Sequence, residues 1–378
     1  MLWSLPLIQK RNRSTHFDVV VVGGSVSGLL CAQFLAKENL NVALLEASST
    51  PGTGDSGTAM LPYTLGLTDN IWRLVQSLGK AKTAELLHIQ SKGTRWLKTS
   101  SLISPSGCHH LAMSAQEELE LFQSAELLQE LGFDAHICSA QTCSEQLGTE
   151  LDFGGYFHPD EGLLSPSTLF SALLSELNEV EIFPCTALLD VQSTGSGFAL
   201  HTNHNQIKAE MLVICAGLGS RVLDPFFEER LSSVRVQYTA FEAPQHLKRG
   251  FVEAQFGHQQ WFKFQNQLVF SGCRWATPHL EMGEEEHKLS SAVSHAQERI
   301  VRQRYPTSGA VQKQWSTLQT HTCDGLPFIG SLSGRDNLMT VCGFQDKQAS
   351  LGIGSALTFC EALTGTAEIP YWLQARRF

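Results

Sequence analysis

The stretch that most constrains the fold is residues 17–47. Residues 17–22 read Phe-Asp-Val-Val-Val-Val, a β-branched and almost wholly apolar run that suits a parallel strand covered on both faces. Gly23-Gly24-Ser25-Val26-Ser27-Gly28 follows, then a helical stretch with a wide apolar face, then a second short apolar run that ends at Leu45 and Glu46. Gly23 permits a tight turn out of the strand, residue 25 must let a pyrophosphate approach the backbone, and Gly28 lets helix and strand pack closely. The start of the helix, at Val26 and Ser27, supplies unpaired N–H groups and a partial positive charge to phosphates. Glu46 stands 23 residues after Gly23, where a carboxylate can accept both ribose hydroxyls of an adenosine. The unit predicts a dinucleotide site. It departs from the usual GxGxxG pattern in having Ser25 at the middle glycine, where a small hydroxyl is available to donate to a phosphate.

Composition narrows the setting. A chain of 378 residues suits two domains better than one core. Its net charge of −10, from 27 basic and 37 acidic residues, argues against a nucleic-acid or anionic-membrane partner, because no basic field collects phosphates. No apolar run of about 18 residues predicts a transmembrane helix. In the first residues the apolar stretch precedes Lys10, Arg11 and Arg13, the reverse of a secretory signal, so residues 1–16 read as an N-terminal extension. The ten cysteines are scattered without a CxxC pair, and Cys138 and Cys143 lack a second pair or suitably spaced histidines. The expectation is small buried thiols in a reducing, cytoplasmic compartment, with no metal site.

Further along, residues 52–60, GTGDSGTAM, form a glycine-rich loop able to bring N–H groups against a ligand. Amphipathic helices are expected over 70–98 and 115–132, a helix capped by Ser165 with Pro166 at its first position, and mostly strands over 232–274. The segments LVICAGLGS (212–220), THTCDGLPFIG (320–330) and VCGF (341–344) precede a last helix. No internal repeat appears. Ser56, Ser165 and the fourteen histidines form no recognisable catalytic triad.

In this order the chain resembles the D-amino-acid oxidase / glycine oxidase superfamily of FAD-dependent oxidoreductases, from Phe17 to about Gly365. The most specific likeness is THTCDGLPFIG with VCGF, similar to the family's TxDGxPxIG…G element. The resemblance implies an α/β fold: a Rossmann-like FAD domain built from the discontinuous segments 17–88, 151–225 and 310–378, and a substrate domain from 89–150 and 226–309 with a large antiparallel sheet. It implies that FAD contacts Gly23, Ser25, Val26, Ser27, Gly28, Glu46, Ala47, Gly54, Asp55, Ser56, Gly57, Thr58, Ala59, Met60, Leu188, Ala216, Gly217, Gly343, Lys347, Gln348, Ala349 and Ser350. The implied reaction is oxidation of a C–N bond: a small-molecule amine loses hydride to flavin N5, the imine hydrolyses, and electrons pass to oxygen, a quinone or another carrier. A homo-oligomer is compatible with this reading.

The departures from the family concern substrate. Arginines usually hold the substrate carboxylate. Here Gln319 stands where one of them precedes the TxDGxP element, and Asp346 stands where another follows the C-terminal glycine. The flavin loop lacks the frequent Ser-Gly-Arg-Asn run, and the last helix reads SLGIGSALTF, with Gly352 and Gly354 expected to serve the close approach. Lys347 or Arg274 is the expected replacement cation, and Asp346 offers an alternative, attraction of a cationic amine. Tyr238 and Trp261 are further pocket candidates, as is Phe262. Two other functions stay open: a flavin domain acting on a macromolecule-borne amine, and a non-catalytic flavin-binding partner subunit.

Overall fold

The computed structural model describes residues 15–103, 106–245, 247–248 and 250–378. The N-terminal extension up to residue 14 lies outside the described residues.

The chain forms two eight-stranded sheets with helices packed on them. The first sheet begins with the strand His16–Val22, which pairs in parallel with Val42–Leu45 on one side and Gln206–Ile214 on the other. Val180–Phe183 extends it beyond Val42–Leu45, and Arg335–Cys342 extends it beyond Gln206–Ile214, both in parallel. Such strands need apolar residues on both faces; accordingly Val19, Val20 and Val21 are buried in alternation between two core clusters. The helix Val26–Lys37 crosses one face. Phe328–Leu332 closes the edge as an antiparallel hairpin with Arg335–Cys342.

The second sheet runs in the order Val311–Thr322, Leu231–Glu242, Gln267–Ser271, Gln259–Phe264, Phe251–Ala254, Cys108–Leu111, Gly155–His158, His136–Cys138. It is antiparallel except where Phe251–Ala254 and Cys108–Leu111 run side by side in parallel. Gly155–His158 and Val311–Thr322, which the family resemblance places in cofactor-domain segments, therefore run in the second sheet. The 12-residue strands Leu231–Glu242 and Val311–Thr322 form a long ribbon whose Tyr238 and Trp315 rings stack.

Two helices bind the halves together. Lys80–Thr99 lies against Ile353–Leu363. At their crossing a Cβ on Gly93 would stand 2.2 Å from the Ser350 carbonyl, and one on Gly354 would stand 1.9 Å from the Ile89 carbonyl. Glycine is required at both, and Gly354 does serve a close approach. No helix among the described residues is long and apolar enough to cross a membrane. Eight of the ten cysteines are buried, while Cys185 and Cys323 are exposed.

Candidate cofactor and substrate site

The carboxyl ends of the central parallel strands open onto one cleft, where open α/β sheets place their ligands. Gly23, Gly24, Ser25, Val26, Ser27, Glu46 and Gly54 lie on its walls. Gly23 has φ +101°, and a Cβ on Gly28 would stand 2.0 Å from the Gly23 carbonyl oxygen. Ser25, at φ −73°, needs no glycine. Its hydroxyl donates to the Cys215 carbonyl (3.0 Å) and accepts from the Gly28 N–H (3.3 Å). This serine is the helix N-cap, and its single proton is committed to the neighbouring strand rather than free for a phosphate. The Val26 and Ser27 N–H groups have no intrahelical partners, and both residues line the cleft. Glu46 is held at the end of its strand by N–H groups of Gly24 and Ser48, each at 2.7 Å.

The cleft continues along the second sheet. Asp55, in the glycine-rich loop, accepts from the Leu318 N–H (2.9 Å) and the Thr317 hydroxyl (3.2 Å) through one oxygen. Trp315 donates from its indole to the Thr58 carbonyl (3.0 Å). These bonds clamp the loop onto the long strand, so Leu318, Thr320, Gly343, Phe344, Gln345 and Gln348 line the cleft's inner end. A π-helical turn, Gln348–Gly352, starts there and leads into the last helix.

Beyond this end lies a second cavity of about 410 Å³, lined by Thr68, Val234, Gln255, His258, Arg274, Trp275, Met282 and His321 among others. Arg274 meets the His258 ring at 3.0 Å and has no carboxylate within ion-pair distance among the described residues. Burial pulls its guanidinium below the usual value, with Asp346 the largest opposing influence. Burial, helped by Arg274, depresses His258, and it brings His321 down to about 4. Both rings are therefore neutral near pH 7. Gln319 is buried beside His321 (3.3 Å).

Residues 18–362 match the family described as FAD dependent oxidoreductase (DAO). The chain belongs to this family. Among curated proteins it is 28% identical over 240 residues to the tRNA 5-methylaminomethyl-2-thiouridine biosynthesis bifunctional protein MnmC of Magnetococcus marinus, covering 61% of this chain and 34% of that one. It is 24% identical over 218 residues to glycine oxidase of Bacillus subtilis, covering 54% and 55%. The matches span between a third and about half of the length of the first curated relatives. Among solved structures, glycine oxidase from Geobacillus kaustophilus superposes with a TM-score of 0.79 at 20% identity, covering 97% of this chain and 100% of that one. L-proline dehydrogenase from P. horikoshii gives 0.79 at 14% identity, covering 96% and 97%.

Seen within the DAO family, the expected FAD contacts divide. Gly23, Ser25, Val26, Ser27, Glu46, Gly54, Asp55, Ser56, Ala216, Gly217, Gly343 and Gln348 line the cleft. Gly28 and Gly57 sit behind it as packing glycines, since a Cβ on Gly57 would come within 1.6 Å of the Gly52 carbonyl. Thr58, Ala59 and Met60 adjoin it through the loop, the Met60 N–H reaching the Tyr238 hydroxyl at 3.4 Å. Ala47 is exposed beside Glu46. Leu188 is packed in a core cluster at the base of a hairpin. Ala349 and Ser350 are buried in the π-helical turn, where the Ser350 hydroxyl donates to the Thr64 carbonyl. Cys342, next to Gly343, is buried, and burial pushes its thiol up to about 12.

The substrate candidates divide as well. Arg274 lines the cavity, and Asp346 is close enough to influence Arg274, His258, His321 and Tyr238. Trp261 is core, its indole donating to the Tyr305 hydroxyl. Phe262, half-buried, packs at the edge of another core cluster, across from Phe251. Lys347 is 1% exposed and turned inward, with its ammonium 2.8 Å from Glu253 and 2.7 Å from the Thr64 hydroxyl. Burial alone would lower the lysine, but Asp346 and Glu253 more than offset it. His258, Thr68, Gln255 and His321 were not singled out from the sequence. His321 carried a usable signal: it lies two residues from Gln319 on one strand, hence on the same face.

Proposed function

We propose that the chain oxidises a C–N bond of a small amine or amino acid bearing an anionic group, with FAD in the first cleft and the substrate in the cavity beside Arg274. The observation that carries this reading is Arg274, a guanidinium set in a 410 Å³ cavity without a carboxylate partner among the described residues. A cation so placed favours an anionic ligand, and its planar fork suits a carboxylate. The two arginine positions of the family are Gln319 and Asp346 here, so Arg274 takes over the task from a different strand end.

The residues of the first cleft fit FAD. The Val26 and Ser27 N–H groups would take the diphosphate, Glu46 the adenosine ribose, and the loop from Gly54 to Met60 with Gly343 and Gln348 the ring end. Bound FAD supplies the hydride acceptor. The neutral His258 ring accepts from Arg274 through Nδ1 and so carries its proton on Nε2, a donor that the lone pair of an uncharged amine can accept from and an ammonium cannot. Asp346 is already engaged, accepting from Gln260 at 2.9 Å with the Lys347 ammonium at 3.5 Å, so Lys347 offsets its pull on a cationic amine.

The test is anaerobic reduction of the bound flavin by a panel of amines with and without a carboxylate. Carboxylated amines are expected to bleach it. Arg274→Gln is expected to raise their KM roughly ten- to a hundredfold, the worth of a charged hydrogen-bonded pair, with Arg274→Lys intermediate. Equal reduction by amines lacking a carboxylate, unaffected by Arg274→Gln, would overturn the reading. Oxygen consumption against quinone reduction identifies the acceptor.

A second reading, an amine carried on tRNA, is favoured by the relatives named for tRNA 5-methylaminomethyl-2-thiouridine biosynthesis. Against it stands the charge at the cavity border, where Glu281, Glu284, Glu285 and Glu286 outnumber the cations they pair with, Arg235, Arg221 and Lys288. Flavin bleaching by tRNA but by no free amine would decide for this reading.

A further inference from the structure

We propose that Cys108, His110 and Glu161 form a binding site for one zinc-like divalent cation, separate from the flavin and substrate cavities. Cys108 and His110 are two residues apart on one strand and so point to the same face. On the antiparallel neighbour, His158 stands directly opposite Cys108, and Tyr156 opposite His110. Glu161 enters from the turn after that strand. The ligand atoms of Cys108, His110 and Glu161 all lie within 4.8 Å of one another. Tetrahedral zinc with bonds of 2.0–2.3 Å needs ligands roughly 3.4 Å apart. Side-chain adjustments of about an ångström therefore suffice.

Three further observations point to a ligand. His158 is 2% exposed, and its Nε2 has no hydrogen-bond partner among the described residues. Its Nδ1 accepts from the Asp160 N–H, so the neutral ring carries its proton on Nε2, a buried donor without an acceptor. A buried donor of this kind is costly unless an acceptor meets it, which a cation-bound water would supply. Second, His110 meets Glu161 through Nε2 at 2.6 Å while its Nδ1 faces Glu253 at 3.6 Å. A carboxylate behind the other ring nitrogen is the arrangement that orients metal-bound histidines. Third, a cavity of about 20 Å³ is lined by His110 and Glu253 together with Asp69 and Glu117. It is large enough for a water-sized species.

The charges balance. Lys347 is neutralised by Glu253 at 2.8 Å, which stands between it and His110. The cation would bond to the Cys108 sulfur, displacing the thiol proton, and to His110 and Glu161, displacing the proton they share. Two protons leave to solvent and one dication enters, so the buried charge is unchanged. Thiolate with imidazole and carboxylate selects zinc over magnesium or calcium.

The experiment uses the FAD-loaded protein, dialysed against chelator, incubated with equimolar zinc sulfate, gel-filtered, and then measured for metal content and X-ray absorption at the zinc edge. About one zinc per chain with one sulfur neighbour is expected. Zinc affinity should fall at least about tenfold in Cys108→Ser and in Glu161→Gln. Retained FAD shows that either variant is folded. Folded wild type without zinc, zinc without a sulfur neighbour, or undiminished affinity in an FAD-retaining variant would overturn the proposal. If both variants lose FAD, the sulfur neighbour in wild type decides.

Discussion

Lys347→Met tests whether this lysine is a structural ion-pair partner or a substrate cation. Its ammonium lies 2.8 Å from Glu253 with both side chains almost fully buried. At an effective dielectric of 20 the Coulomb attraction at that distance is about 6 kcal/mol, an upper bound before desolvation is subtracted. Removing the lysine leaves the Glu253 charge buried and met by hydrogen bonds from Gln260, at 3.0 Å, and the Thr64 hydroxyl, at 3.3 Å, and by His110. A stability loss of roughly 3–5 kcal/mol is expected. Lys347→Met combined with Glu253→Gln removes both charges, and most of the loss should return because the uncompensated carboxylate is gone. Urea unfolding of the three proteins, followed by circular dichroism, reads this directly. A Lys347→Met protein within about 1 kcal/mol of wild type but with an impaired KM would refute the reasoning, because it would place the ammonium on the substrate.

Three other outcomes follow from the geometry. Gly28→Ala puts a Cβ 2.0 Å from the Gly23 carbonyl and 3.2 Å from the Cys215 Cβ, so strand and helix must separate; the flavin-to-protein absorbance ratio after gel filtration should fall well below wild type. Ser25→Ala removes the N-cap and the bond to Cys215 and should cost about 1 kcal/mol of stability. Ser25→Gly should cost only a few tenths and retain FAD, which denaturation and FAD titration together measure. His321 binds its proton at about 4 in the folded chain against 6.5 ordinarily. The unfolded chain therefore binds more protons between these values, and stability present above pH 6.5 is lost as pH falls through 4, by at most about 3 kcal/mol. His321→Gln should flatten the Tm profile across that window; an unchanged profile would show that the ring titrates normally.

The sites differ in how far they could be read from residues alone, and the difference follows from the range of the interactions. The cleft at Gly23–Glu46 was legible because strand, turn, helix and carboxylate are consecutive and local sterics set each position. Ser25 could be located there, but its partner, the Cys215 carbonyl, is 190 residues away, so its capping role was not. Lys347 and Trp261 were credible pocket residues by position, yet the direction of a side chain depends on what lies behind it: Glu253 draws Lys347 inward, and Tyr305 accepts from Trp261 within the core. Arg274, in the turn after the strand Gln267–Ser271, and His321, on the strand Val311–Thr322, share a cavity through the pairing of the long ribbon with its neighbours. The cluster at Cys108 goes furthest in this direction. Its Cys-x-His pair and a glutamate 51 residues on fit no local metal motif, and a search for paired cysteines passes over them. They meet because an antiparallel register sets residue 108 against 158. Once substrate contacts depend on sheet register rather than on consecutive residues, losing the arginines at 319 and 346 need not mean losing an anion site. On the proposed reading the cation stands instead after the strand Gln267–Ser271, where Arg274 lines the cavity.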